Sequence, residues 1–339
     1  MKKHLFVIAC LLLAGIDLSA AGKWKLEKNS DGIKSYSRSV PGTDILEIKA
    51  ITVIDARMEV VGEVLRDVSA MPRWMADCSE ARIVKMFNRN DMIVHIVLDF
   101  PMPVNDRDLV VRSSSIYDLK HARGIVNLRA AEHPDAPLKK GRVRMSTFSG
   151  TYQLEYLSRN KTGVIYSYRA DPGGNIPPFV VNMFSKKSLY KTLMGLKRMV
   201  RVKKYTERAE AGTDRLLFEK ILKDKKRVRE ILRARLLEQV RDAEAVDEII
   251  KNDEIFNIFV NGDGDIARTI FLSWGSSESI KKAVKKIIRI HLRKYTRDEA
   301  LIGRIAEDDA LIRRIIRGKK KGDPSLENLI KRLVRGEKG

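Results

Sequence analysis

The five histidines, His4, His95, His121, His133 and His291, show none of the spacings that hold a catalytic metal, such as His-Glu-x-x-His. The chain carries no nucleophile elbow and no glycine loop of the kind that cradles phosphate. The segment Asn261-Gly262-Asp263-Gly264-Asp265-Ile266 invites comparison with a calcium loop. With Gly264 as the sharp-turn glycine, the first and last ligand positions fall on Phe259 and Ile270, which cannot bind calcium. It reads as a polar turn between helices. The nearest thing to an acid–base pair is His95 with Asp99. No catalytic residue, metal or cofactor is assigned. Five polar side chains lie within strand-like runs: His95, Asp99, Arg112, Arg129 and Arg144. Turned inward they would meet a ligand's polar group; turned outward they would face solvent. Strand parity decides, and spacing alone does not fix it.

Charge narrows the partners. The formal net charge is +22, from 66 Lys and Arg against 44 Asp and Glu, which favours anionic surfaces or acidic proteins. Aromatics are 6% of residues and are not interleaved with basic runs, so the pattern for stacking single-stranded nucleic acid is missing. Lys2 and Lys3, the apolar run Leu5–Ile16 and then Ser19-Ala20-Ala21 form the three-part pattern of a secretory signal peptide cleaved after Ala21. Cys10 sits inside the apolar run, which disfavours a lipoprotein signal. Cys78 is then the one cysteine of the mature chain, so no internal disulfide forms. An exported protein sparing in cysteine is expected in a bacterial periplasm, where nucleic acid is not a partner.

These side chains need elements to position them. Ile45–Ile54 reads as a strand, followed by a helix capped by Asp55 and running to about Val68, with Val60, Val61, Val64, Leu65 and Val68 in one stripe. Met71-Pro72-Arg73-Trp74 breaks it. Strand-like runs follow at 81–87, 92–100, 108–117, 124–131, 142–157 and 163–170. The segment Asp171-Pro172-Gly173-Gly174-Asn175-Ile176-Pro177-Pro178 can be neither strand nor helix. It delivers a long amphipathic helix with Leu189, Leu193, Leu196 and Val200 on one face. That helix either closes an ordinary core or lies over a cavity as a lid. Runs of strands followed by a helix give an α+β class with an antiparallel sheet.

The order and the motifs resemble the StAR-related lipid transfer (START) domain over about residues 22–205. Trp24, Asp31-Gly32-Ile33 and Tyr36 resemble the family's opening. Asp67, Trp74 and Cys78 resemble its aspartate, tryptophan and cysteine after the first long helix. Pro103, Arg107-Asp108, Val110 and Arg112 resemble its proline and arginine–aspartate strand start. Gly150, Tyr152, Asp171–Gly174, Ile176-Pro177 and Asn182 resemble the approach to its C-terminal helix. The resemblance implies a helix-grip fold whose cavity holds a lipid or sterol-like ligand. The candidate ligand contacts are then Trp74, His95, Asp99, Arg112, Arg129, Arg144, Tyr168, Met183, Phe184, Leu193, Met194 and Met199. Asp171, Pro172, Gly173, Gly174 and Pro177 would form the lid's turn. Arg107 and Asp108 are assigned to structural contacts. The rival implied by related cavities is an enzyme, using His95 with Asp99.

Residues 206–339 read as an all-α domain of charged helices. Ile249, Asn252, Asp253, Ile255, Phe259, Val260 and Gly262 match Ile305, Asp308, Asp309, Leu311, Ile315, Ile316 and Gly318 loosely, as helix-pair repeats or as chance likeness of amphipathic helices. The basic residues Arg313, Arg314, Arg317, Lys319, Lys320 and Lys321 are either a solvated face or a dock for anionic headgroups. A protein partner for the helical domain, or lipid sensing through it, is the further expectation.

Overall fold

The Asp31-Gly32 signal makes a tight turn, with both residues at positive φ (53° and 69°), between β1 (Lys25–Ser30) and β2 (Ile33–Val40). The structure is a computed structural model that describes residues 22–100, 103–119, 121–237, 241–253, 277–317 and 324–336. The signal segment with Cys10, the Asn261–Ile266 turn and Lys319–Lys321 lie outside the described residues, as does part of the repeat at Ile255–Gly262.

The remaining strands are β3 (Thr43–Ile54), β4 (Cys78–Asn88), β5 (Asp91–Leu98), β6 (Asp106–Asp118), β7 (Arg123–Ala130), β8 (Arg142–Arg144), β9 (Thr147–Ser158) and β10 (Lys161–Asp171). They form one sheet in the order β1-β2-β3-β10-β9-β7-β6-β5-β4, antiparallel throughout except for short β8, which pairs with β6 in parallel. The strands after β3 follow one another as a meander. The chain then brings β10 back to β3, with Thr162 opposite Ile54 and Tyr168 opposite Ile48.

Helix α1 (Met58–Arg66) buries Val60, Val61 and Val64. Its first turn follows extended Arg57 and has no side-chain cap, so Asp55 does not cap it. A 3₁₀ turn, Val68–Arg73, leads to Trp74. Helix α2 (Pro178–Met199) lies across the inner face of the sheet. Asn182 ties its beginning to β3, accepting from the Leu46 amide at 2.9 Å and donating to the Asp44 carbonyl at 3.0 Å. Asp31 holds its far part, accepting from the Tyr190 hydroxyl and, through its carbonyl, from Lys197 Nζ at 2.9 Å. The two halves of α2 differ. Leu189, Leu193, Leu196 and Met199 are buried, whereas Phe179 is 73% exposed and Met183 58% exposed.

Beyond α2 come α3 (Lys203–Ala211), α4 (Asp214–Lys223), α5 (Lys225–Leu237), α6 (Ala243–Ile250), α7 (Ser277–Leu292), α8 (Glu299–Ala306), α9 (Asp309–Arg317) and α10 (Leu326–Val334). Helix α3 docks on the end of α1 through Asp67, which accepts from Lys204 at 2.8 Å, Tyr205 at 3.1 Å and Arg208 at 3.2 Å. Burial alone would raise the Asp67 pKa. The bonds from Lys204, Ser69 and Tyr205 and the charge of Lys204 outweigh it and bring the carboxyl to about 2. The later helices share a core with the sheet's outer face, where Ile51, Val53, Tyr156 and Ile165 join Val228, Ile231, Ile249 and Ile288. No described helix is long and apolar enough to cross a membrane.

One close approach sets the height of α2. A Cβ added at Gly195 would lie 2.7 Å from the Trp74 carbonyl carbon and 2.9 Å from its Cα, both backbone atoms that cannot swing aside. Gly195→Ala is expected to cost at least about 2 kcal/mol by overpacking. Gly303→Ala, where nothing lies within 4 Å on α8, is expected to be neutral or stabilising by up to ~1 kcal/mol. Urea unfolding midpoints would check the pair, and equal midpoints would refute the assigned contact.

Candidate functional site

Strand parity decides what the sheet offers to α2. On β5 the inward residues are Met92, Val94, Ile96 and Leu98; on β6 they are Leu109, Val111, Ser113, Ser115 and Tyr117. Leu128 and Val126 of β7, Tyr152 and Leu154 of β9, and Tyr166, Tyr168 and Ala170 of β10 continue the same face. Over them stand α1, the 3₁₀ turn and the first half of α2, contributing Leu65, Met71, Trp74, Met75, Val181 and Phe184. The space between is a partly open cavity. Its free volume is about 140 Å³. That is on the order of ten times what one water needs. From Leu109 to Tyr117 the wall along β6 runs roughly 26 Å. Most of the lining is aliphatic, aromatic or methionine, the composition of a site for an apolar ligand.

A few polar groups are set into this wall. Tyr152 and Tyr166 stack with centroids 3.8 Å apart and planes 4° from parallel. Burial raises both phenols well above their usual pKa, so both stay neutral donors. The Tyr152 hydroxyl makes no hydrogen bond of good geometry, although the Tyr166 phenol sits beside it, and the Trp74 indole N–H is buried without a partner. Tyr168 donates to the Ser185 carbonyl at 3.1 Å, and Thr192 accepts from the Ala76 amide at 3.1 Å, fastening α2 to the wall. At the far end stand Glu59, Arg66 and Tyr117.

Of the expected ligand contacts, Trp74, Asp99, Tyr168 and Phe184 line the cavity, and Pro172 of the turn reaches its edge. Four charged candidates are corrected by parity, because they alternate with the inward residues. His95 Nε2 lies 2.8 Å from Asp108 Oδ2, and Arg144 Nε lies 2.5 Å from Asp108 Oδ1, all on the outer side. Arg112 makes a two-pronged contact with Asp91, at 2.9 and 2.6 Å, and Arg129 is exposed. Four α2 candidates are corrected as well. Met183 points to solvent, and Leu193, Met194 and Met199 pack into the core beyond the cavity. Sequence reading missed Arg66, Tyr117 and Tyr166. The alternation Ser113, Ser115, Tyr117 carries the signal for one of them, once the strand's inward face is known.

The lid turn is held from outside the cavity. Gly173 and Gly174 adopt positive φ (66° and 72°), and the Asp171 side chain accepts from the Gly173 amide at 2.9 Å. Pro177 precedes the helix, and Pro178 is its first residue. Buried Arg107 donates to the Pro172 carbonyl at 3.0 Å and the Gly173 carbonyl at 2.9 Å, and also to the Asn105 carbonyl. Its guanidinium lies 4.7 Å from the Phe100 ring, which stacks in turn on Phe184 at 5.6 Å. One side chain therefore joins the turn before α2 to the loop between β5 and β6. Cys78 is buried, and loss of solvent pushes its thiol up to about 12, so it is no nucleophile.

On the basic tail, Arg313 is exposed beside Asp309 at 4.0 Å. Arg314 is corrected: its side chain turns inward, donating to the Pro324 carbonyl and lying 3.9 Å from buried Asp242. The side chain of Arg317 is outside the described residues.

The family model for the START domain matches residues 9–208. An uncharacterised protein of Pseudomonas aeruginosa is 29% identical over 192 residues, covering 56% of this chain and 93% of that protein. The phosphatidylcholine transfer protein of Bos taurus is 23% identical over 184 residues, 53% of this chain and 85% of its own. A crystal structure of a STAR-related lipid transfer protein from Xanthomonas axonopodis is 30% identical, spans 52% of this chain and 98% of that one, and superposes with a TM-score of 0.48.

Arg107→Gln removes a charged donor from two turn carbonyls. A loss of roughly 2 kcal/mol is expected, together with faster amide exchange across residues 172–182. Unchanged exchange there would show that the turn does not depend on the clamp.

Proposed function

The chain belongs to the START domain family, and from this we propose that it holds a lipid in the cavity beneath α2 and carries it across the periplasm between membranes. The observation that carries the reading is the long, mostly apolar cavity closed by the first half of α2. Each buried methylene is worth roughly 0.8 kcal/mol, so an acyl chain resists entering water by on the order of 10 kcal/mol. A protein that keeps the chain covered removes most of that barrier without any bond being made or broken. The relatives named above include proteins described as lipid transfer proteins, which supports the same reading. Exposed Phe179 and Met183, beside the turn clamped by Arg107, suit a part of the lid that meets a membrane when it opens.

An enzyme reading gains nothing from His95 with Asp99. Asp99 lines the cavity, while His95 faces Asp108 on the opposite side of the sheet. Attachment to an anionic bilayer through residues 313–339 is the second part of the proposal, resting on exposed Arg313 and the basic sequence after it.

Native mass spectrometry and organic extraction of the full-length product should show near-stoichiometric lipid on a chain that begins at Gly22. Ser113→Trp, which fills the cavity, should lower the lipid content several-fold without loss of fold by circular dichroism. An empty cavity in the native protein would sink the carrier reading. Removing residues 313–339 should weaken cosedimentation with phosphatidylglycerol vesicles. Undiminished binding would remove the tail from the proposal.

A further inference from the structure

At the cavity's far end two lining side chains are held by a residue from outside the matched domain. Asp214 stands in the first turn of α4, past the end of the family match at 208. Its Oδ2 accepts from the Tyr117 hydroxyl at 2.6 Å, lies 3.2 Å from Arg66 Nη2 and 4.0 Å from Arg89 Nη2. Arg66 and Tyr117 both line the cavity. Arg66 Nη2 also donates to the Tyr117 oxygen at 2.9 Å and to Asn90 Oδ1 at 3.3 Å, and Nη1 lies 3.3 Å from Glu63. Glu63 belongs to α1 and also bonds Arg89. Two guanidiniums are thus balanced by two carboxylates, one built into α1 and one brought by α4. Without Asp214 the Arg66 guanidinium and the Tyr117 phenol would each lose an acceptor at the wall of a mostly apolar cavity, with Glu59 the other carboxylate lining that end. That is a site for a compact anion.

Two further observations point the same way. None of the described α4 side chains is buried, Leu216 is 57% exposed, and the Thr213 cap makes no side-chain bond. The described contacts that hold α4 at this corner are the polar ones of Asp214, while Ile221 further along α4 packs on the core. In addition, a crevice between α1 and β4 abuts the cavity, sharing Arg66, Val68 and Met92 with it, and carries Arg82, Arg89 and Arg208 against Glu63 and Asp67. It gives an anion a basic approach to Arg66 that avoids the apolar cavity.

We propose that Asp214 is a resident occupant of an anion site, and that the cavity prefers an amphiphile with a compact anionic headgroup, phosphate monoester or carboxylate, which takes over Arg66 and Tyr117 and releases α4. The proposal rests on the reading of the cavity as a lipid site. Occupancy of the cavity is thereby communicated to the helical region through one carboxylate.

The test uses Trp74, which lines the cavity, as a fluorescence reporter in the delipidated full-length protein. It is titrated with bromine-labelled phosphatidate, bromine-labelled fatty acid and bromine-labelled diacylglycerol. At least one anionic probe should quench at roughly tenfold lower concentration than diacylglycerol. Asp214→Asn should strengthen that anionic binding about fivefold and leave diacylglycerol unchanged, and Arg66→Gln should erase the anionic preference. Which anionic probe responds identifies the headgroup. If lipids quench but Asp214→Asn leaves the anionic-to-neutral ratio unaltered, the proposal is overturned while the lipid site stands. If none of the three quenches, the lipid reading fails and this proposal falls with it.

Discussion

The contact between Gly195 and the backbone of Trp74 governs how α2 meets the sheet. A helix without a side chain at that position comes close enough to bury Leu189, Leu193 and Leu196 against α1 and the inner strands. The first half of the same helix stands over the cavity, which Val181, Phe184 and Ser185 line. Packing and cavity are therefore two consequences of one docking. The second half of α2 contributes core energy, and the first half can be a cover because the second half is fixed. Arg107 completes the arrangement by holding the turn that feeds α2 to the loop after β5.

The sheet is buried on both sides where β2, β3, β9 and β10 run together. Ile48, Ala50 and Ile54 face α1 and α2, while Ile51 and Val53 face the later helices. That explains why Ala50–Ile54 is buried at every residue instead of at alternate ones. Lys49 on the outer side is covered deeply enough that lost solvation, with help from Arg38, brings its amine down to about 8. The helical region is thus packed on the START domain itself, and Asp67 and Asp214 tie its first helices to the end of α1.

Charge inside and outside the sheet follows different rules. Outside, arginines find carboxylates: Arg112 with Asp91, Arg144 with Asp108. Inside, the polar groups are neutral phenols, hydroxyls and an indole, which cost far less to desolvate than ions. The exceptions gather at the ends of the cavity, where Glu59 and Arg66 stand at one end and Asp77 and Asp99 at the other. An apolar middle with ionic ends suits an amphiphile better than a pure hydrocarbon.

The sequence alone determined the strand–helix–strands–helix order from Ile45 onward, the turn from Asp171 to Pro178 and the family, because turn chemistry and hydrophobic periodicity are local and Gly, Pro and Asp announce them directly. It did not separate β1 from β2 or β8 from β9, nor place α3. It assigned Arg107 and Asp108 to structural contacts, as their bonds to the turn and to His95 and Arg144 bear out. It did not determine the cavity wall. One step of strand register exchanges His95, Arg112 and Arg129 for Val94, Val111 and Leu128, and only pairing across the sheet fixes that step. Nor could it choose between core and lid for α2, since both halves show the same spacing and differ only in what lies beneath them. Asp214 was invisible for a similar reason: it reads as an ordinary acidic residue in the first turn of a helix until the fold sets it 3.2 Å from Arg66.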